Sequence, residues 1–145
     1  MSPERVRAVF DALLAAHGAQ HWWPAETPFE VMAGAVLTQN TAWANVERAL
    51  ALLSERIALD PTEILALPLD DLTACLRPVG YFNVKARRLR AFCIELIGAG
   101  GIAGLARLET GELRRRLLSI HGIGPETADD MLLYALQRPV FVVDA

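Results

Sequence analysis

Apolar residues recur along this chain at intervals of three and four, the period of an amphipathic helix, over almost its whole length. Between positions 3 and 17 they fall at Val6, Val9, Phe10, Leu13 and Leu14, and Gly18 closes the segment. A short aromatic stretch, Gln20-His21-Trp22-Trp23-Pro24, reads as a loop. Thr27 then stands as an N-cap, with Pro28 at the first helical position and Glu30 three residues on, a capping-box arrangement. The helix it starts, through Phe29, Val31, Met32, Ala35, Val36 and Leu37, is apolar on nearly every side. Such a helix belongs in the middle of a domain.

The same pattern predicts a helix from Thr41 to about Arg56, a short one capped by Asp60-Pro61-Thr62-Glu63, and another from Leu69 to Arg77. Pro78-Val79-Gly80 is a turn. From Asn83 to Ile97 the predicted helix turns Leu89, Phe92, Cys93, Leu96 and Ile97 inward and its basic residues outward. Gly98, Gly100 and Gly101 break the chain before a helix from Glu109 to Leu118. Val140-Phe141-Val142-Val143 is too short for a sheet without a partner strand, so it reads as an extended connector. The fold class expected is all-α. Because Asp144 and Ala145 follow with no closing element, the natural chain is expected to continue past residue 145.

Composition narrows the class. With 145 residues, 53% of them apolar and 21% charged, the chain can bury a real core and is no disordered tail. No apolar run approaches the roughly 20 residues of a membrane span. The start, Met1-Ser2-Pro3-Glu4-Arg5, lacks the layout of a secretion signal, so no membrane partner and a cytoplasmic location are expected. Cys75 and Cys93 have no CxxC spacing, and read as core thiols. A net charge of −3 argues against an indiscriminate nucleic-acid binder. The distribution says more than the sum: Arg87, Arg88 and Arg90 follow Lys85, the single lysine, and Arg114, Arg115 and Arg116 form a second cluster.

Candidate chemistry centres on Leu118-Ser119-Ile120-His121-Gly122-Ile123-Gly124-Pro125-Glu126-Thr127-Ala128. A helix ends, two glycines bracket one apolar residue, and a new helix starts on proline. Glycine permits positive φ and close approach of the backbone to a ligand. The first turn of the next helix aims free N–H groups outward, which suits a phosphate. Taken alone, a Gly-x-Gly is more often a plain turn between helices.

Its surroundings change that weighting. Ile-x-Gly-Ile-Gly-x-x-Thr-Ala, an amphipathic helix and then Val-Val-Asp resemble the helix-hairpin-helix DNA glycosylase superfamily typified by endonuclease III. Ala35-Val36-Leu37-Thr38-Gln39-Asn40-Thr41 is similar to the family segment that inserts a polar side chain into the duplex. Gly80-Tyr81-Phe82-Asn83-Val84-Lys85-Ala86 is similar to a further family turn. The resemblance implies a six-helix barrel lobe over residues 25–137, with the helix-hairpin-helix at 113–137. Residues 1–24, a helix and an aromatic loop, would belong to part of a second helical lobe and to the pocket, and residues 138–145 would carry the catalytic acid.

By the same resemblance, Asp144 is the catalytic residue, and Gly122, Ile123, Gly124, Pro125, Thr127 and Lys85 grip the DNA backbone. Gln39 and Asn40 fill the gap left by a flipped nucleotide, the ungapped match favouring Asn40. Trp22, Trp23, Pro24 and Trp43 line the base pocket, although tryptophan is by default a core residue. Strand-nicking members carry a lysine two residues after the second hairpin glycine, whereas this chain has Glu126. A carboxylate cannot form a Schiff base, so the resemblance narrows to the monofunctional, endonuclease III-related 3-methyladenine DNA glycosylases. The alternatives are an endonuclease III-like glycosylase/lyase for oxidised pyrimidines, a non-catalytic DNA-binding module, and a structural helical domain. Double-stranded DNA with damaged bases is the expected partner of a monomer. No metal or cofactor is expected in this chain, since an iron–sulfur cluster would need cysteines beyond residue 145.

Overall fold

The computed structural model describes residues 1–144, and Ala145 lies outside the described residues. Among the described residues nine α-helices run in order: α1 (Pro3–His17), α2 (Pro28–Leu37), α3 (Trp43–Ser54), α4 (Pro61–Ala66), α5 (Leu69–Leu76), α6 (Phe82–Gly98), α7 (Gly101–Ala106), α8 (Thr110–Leu118) and α9 (Pro125–Asp130). A 3-10 turn, Arg77–Val79, joins α5 to the loop before α6. Past α9 the helix continues through Met131–Ala135 with wider winding, where the Leu136 amide reaches the Met131 carbonyl five residues back at 3.1 Å. Among the described residues there is no β-strand, and no helix is long and apolar enough to cross a membrane. The fold is all-α, as the periodicity predicts.

The caps form largely where the sequence marks them. Thr27 Oγ1 accepts from the Glu30 amide at 3.1 Å, and Asp60 Oδ1 accepts from the Thr62 amide at 2.8 Å. The return bond of the capping box shifts by one residue: Glu30 Oε2 accepts from the Glu26 amide, not that of Thr27. The glycine-rich break after α6 is also less of a break than expected, because Gly101 begins the short helix α7. Helix α3 starts at Trp43 rather than Thr41, since residues 38–41 form a turn in which Asn40 takes φ 54°.

Helix α2 occupies the centre. Eight of its residues are buried, and it touches α3, α6, α9 and the wide final turn. Met32, Ala35, Val36 and Leu37 are inaccessible to solvent, so truncating Leu37 to alanine would cost roughly 2–5 kcal/mol. Cys75 and Cys93 are buried in the same core, on α5 and α6. Helix α1 differs from the rest. None of its residues is buried, and its apolar stripe from Val6 to Leu14 remains open to solvent. Ile97, expected inward, is likewise exposed at the end of α6.

The connector is aimed by Arg138. Its guanidinium donates to Thr110 Oγ1 (3.1 Å) and to the Ala106 carbonyl (2.7 Å), pinning the chain where α7 meets α8. Val140 packs on the core, and residues 138–144 run without regular structure to the mouth of the hairpin.

Candidate active site

The hairpin between α8 and α9 is built around one backbone position. Gly122 takes φ +90°, and a Cβ there would lie 2.5–2.7 Å from the side-chain stem of Arg88. Both facts demand glycine. Arg88 passes over this bare backbone and donates from Nη1 to Gln39 Oε1 at 2.9 Å. The Gln39 amide in turn donates to the Gly122 carbonyl and to Thr127 Oγ1, each at 3.0 Å. One residue of the α2–α3 turn is thereby tied to both sides of the hairpin. Sequence reading named no individual arginine; only the spatial crossing at Gly122 singles out Arg88.

This network separates Gln39 from Asn40. Every polar atom of the Gln39 side chain is engaged inside the protein, whereas Asn40 is exposed, with a left-handed backbone that presents it at the rim. Gln39, expected alongside Asn40 to fill a DNA gap, is held as structure. Three further expectations need correction. Lys85 is 2% exposed and donates from Nζ to the Val79 carbonyl at 2.8 Å, so it faces the interior and not a phosphate. Burial, with the Arg88 charge second, lowers its pKa. Ile123 is a core side chain whose amide already donates to the Ile120 carbonyl at 3.1 Å. At Thr127 only the side chain is withdrawn, its hydroxyl being buried and taken up by Gln39. What the hairpin leaves open are backbone amides: the first intrahelical bond of α9 is Ala128 N–H to the Gly124 carbonyl, so the Glu126 and Thr127 amides precede the ladder.

Two clefts meet here. One, of about 730 Å³, is lined by the Thr38–Thr41 turn, by Gly122 and Gly124–Thr127 of the hairpin, and by Asp130 and Asp144. The other, of about 510 Å³, is walled by Trp22, Trp23, Pro24, Trp43 and Tyr134. Trp22, exposed to 62%, meets Tyr134 edge-on at 5.2 Å, and Trp23 stands 5.1 Å from Tyr134 and 5.3 Å from Trp43. Gly34 of α2 gives Trp43 its seat, since a Cβ there would press on the indole at 3.1 Å. The four residues expected at a pocket are brought together. Tyr134 was missed: on an apolar helix it reads as one more core residue, and only the wide final turn and the Trp22 contact show its role in the wall.

Thr38, Glu126, Asp130 and Asp144 line both clefts. Glu126 faces Asp144 at this junction; burial first, then the charge and carboxyl of Asp144, raise the Glu126 carboxyl above the usual carboxylate range. Asp129, by contrast, points away and accepts two bonds from Arg114, at 2.7 and 3.1 Å. Among the described residues no group of three or more His, Cys, Asp or Glu is arranged to hold a metal ion, and the two cysteines sit apart in the core. Among the described residues, these two cysteines do not fit an iron–sulfur cluster.

Residues 33–145 match the family model described as HhH-GPD superfamily base excision DNA repair protein. Over 145 residues the chain is 46% identical to a Methanocaldococcus jannaschii protein named "Putative DNA repair glycosylase MJ1434", covering 98% of this chain and 66% of that protein. It is 30% identical to an endonuclease III of Haemophilus influenzae over 118 residues, 81% of this chain and 53% of that protein. Among solved structures it superposes on the Helicobacter pylori 3-methyladenine DNA glycosylase MagIII bound to 1,N6-ethenoadenine, with a TM-score of 0.80 and 31% identity, covering 97% of this chain and 67% of that one. A non-covalent endonuclease III–DNA complex matches at a TM-score of 0.77 and 25% identity, over 99% of this chain and 64% of that one. The chain thus spans about half to two thirds of the length of these curated relatives.

Proposed function

The chain belongs to the HhH-GPD superfamily of base excision DNA repair proteins, and from that membership we propose that it is a monofunctional DNA glycosylase releasing alkylated purines such as 3-methyladenine. The observation that carries this reading is the position of Asp144. It lines the hairpin cleft and the indole-walled cleft at once, beside a glutamic acid where lyases hold an amine.

The amides of the α9 first turn, with Gly122 and Gly124, hold the phosphates that flank the lesion. The damaged nucleotide turns out of the duplex into the cleft of Trp22, Trp23, Trp43 and Tyr134. Flipping costs a few kcal/mol, least for a damaged base. Asn40, free at the rim, fills the gap. A cationic methylated purine stacks on indole faces with roughly 0.5–2 kcal/mol of cation–π attraction, which distinguishes it from a normal base. As the glycosidic bond lengthens, positive charge develops on the sugar, and the Asp144 carboxylate stabilises it and takes a proton from the attacking water. Without a lysine at the hairpin no covalent sugar intermediate forms. The protein acts as a monomer on double-stranded DNA, in the cytoplasm at the nucleoid. Incubating it with methylated duplex and, in parallel, with duplex carrying oxidised pyrimidines tests the substrate class: release of methylated purine supports it, and release of oxidised pyrimidine alone refutes it.

A further inference from the structure

Asp130 has no part in the steps above, yet it is the most deeply placed acid of the site. It lies on α9 one turn beyond Glu126, is 7% exposed, and lines both clefts. Its neighbour Asp129 is neutralised by Arg114, the basic residue that α8 sends toward this helix. Among the described residues Asp130 has no such partner. Its carboxylate opens onto the clefts with no cation beside it, and an apolar side chain would fill the same helix face without placing a charge there.

The groups facing it are all acidic or neutral. Glu126 stands one turn before it, Asp129 beside it and Asp144 across the cleft on the connector, while Tyr134 follows one turn later. Helix α2 packs on the same element, but its only charged side chain, Glu30, is occupied by the Glu26 amide. Burial first, then the charges of Glu126, Asp129 and Asp144, push the Asp130 carboxyl up to about 6. The acid form is thus within reach near neutral pH, the condition a proton donor needs.

We propose that Asp130 is a second catalytic group, which donates a proton to the departing base and extends release to purines that carry no fixed positive charge. The proposal rests on the glycosylase reading. A methylated cationic purine leaves neutral when it takes the C1′–N9 electron pair. A neutral purine would leave as an anion unless a ring nitrogen gains a proton. Asp130 passes its carboxyl proton to purine N7, the C1′–N9 bond breaks, and its electron pair stays on N9. A water oxygen bonds to C1′ and gives one proton to Asp144. Asp130 ends as a carboxylate, and the two side chains return to their starting states by losing one proton to solvent and taking one from it.

The test compares a duplex carrying 7-methylguanine, which has a fixed charge, with one carrying hypoxanthine, which has none, between pH 5 and 8. Wild-type hypoxanthine release should fall as pH rises above about 6, the carboxyl's raised value, while 7-methylguanine release does not follow that limb. Asp130→Asn should lower the ratio of hypoxanthine to 7-methylguanine release about 100-fold, and Asp130→Glu should recover part of it. An equal loss on both duplexes, or a larger loss on the cationic base, overturns the proposal. So does a wild-type chain that releases 7-methylguanine but no hypoxanthine at any pH, a result that leaves the glycosylase reading standing. Release of neither base overturns the proposal, while release of 3-methyladenine from methylated duplex decides the glycosylase reading separately.

Discussion

Glu126 and Asp144 face the same two clefts although one belongs to the first turn of α9 and the other to the end of the connector. The Asp144 charge beside it favours the protonated form of Glu126. The proposed catalytic acid therefore faces a carboxyl group where a lyase would present an amine nucleophile. Borohydride reduction of the chain on abasic duplex should trap no covalent adduct. Glu126→Lys should introduce a trappable one, because the new amine would sit against the position of Asp144. An adduct with the unaltered chain would contradict the monofunctional assignment.

The crossing of Arg88 over Gly122 makes the hairpin sensitive to a single methyl group. Gly122→Ala combines a left-handed φ with a collision against the Arg88 stem, and should cost about 1–3 kcal/mol. Adding Arg88→Ala relieves the collision but not the strained φ, so the double variant should recover only part of the loss. Thermal unfolding of the parent and the two variants checks this, and a Gly122→Ala chain as stable as its parent would refute it.

Lys85 is a buried structural residue, held by the Val79 carbonyl. Lys85→Met fills the same space without the ammonium and should leave the salt dependence of duplex binding unaltered. A residue that touched phosphate would reduce the slope of log affinity against log salt by about 0.9. Fluorescence anisotropy across a salt series separates the two.

How legible the molecule was depended on whether a signal was local. Thr27, Asp60 and Pro125 start helices where their chemistry says they should, because a cap is settled within four residues. Trp22, Trp23, Pro24 and Trp43 were assigned to a pocket through the family resemblance, since tryptophan alone reads as core, and the structure brings them together. What escaped depended on long-range packing. Lys85 looked like a surface charge beside three arginines, and nothing nearby shows that its stem points at the 3-10 turn. Arg88 differs from Arg87 and Arg90 only through contacts with residues 34 and more positions away. Asp130 did leave a trace, a carboxylate four residues after Glu126 on a helix that otherwise turns apolar.

Holding Asp130 in that place should cost stability. Its carboxyl titrates near 6 in the folded chain against 3.8 ordinarily, so the native state binds the extra proton between those values. Stability from this group is therefore lost as pH rises from about 4 to 6, and the penalty persists above. Asp130→Asn should stabilise the protein at pH 8, by roughly 2 kcal/mol, and change little at pH 4. Urea unfolding at the two pH values measures the difference; equal effects at both would contradict an unpaired buried carboxylate.

The most direct test concerns Asp144. Duplex DNA methylated with a radiolabelled reagent is incubated with the chain and with Asp144→Asn, and released purine is counted alongside the affinity of each for the same duplex. Asp144→Asn should lose at least about 100-fold in base release, the scale of a general base, while its duplex affinity stays within about threefold. Base release that survives the substitution would show that Asp144 is not the acid that breaks the bond.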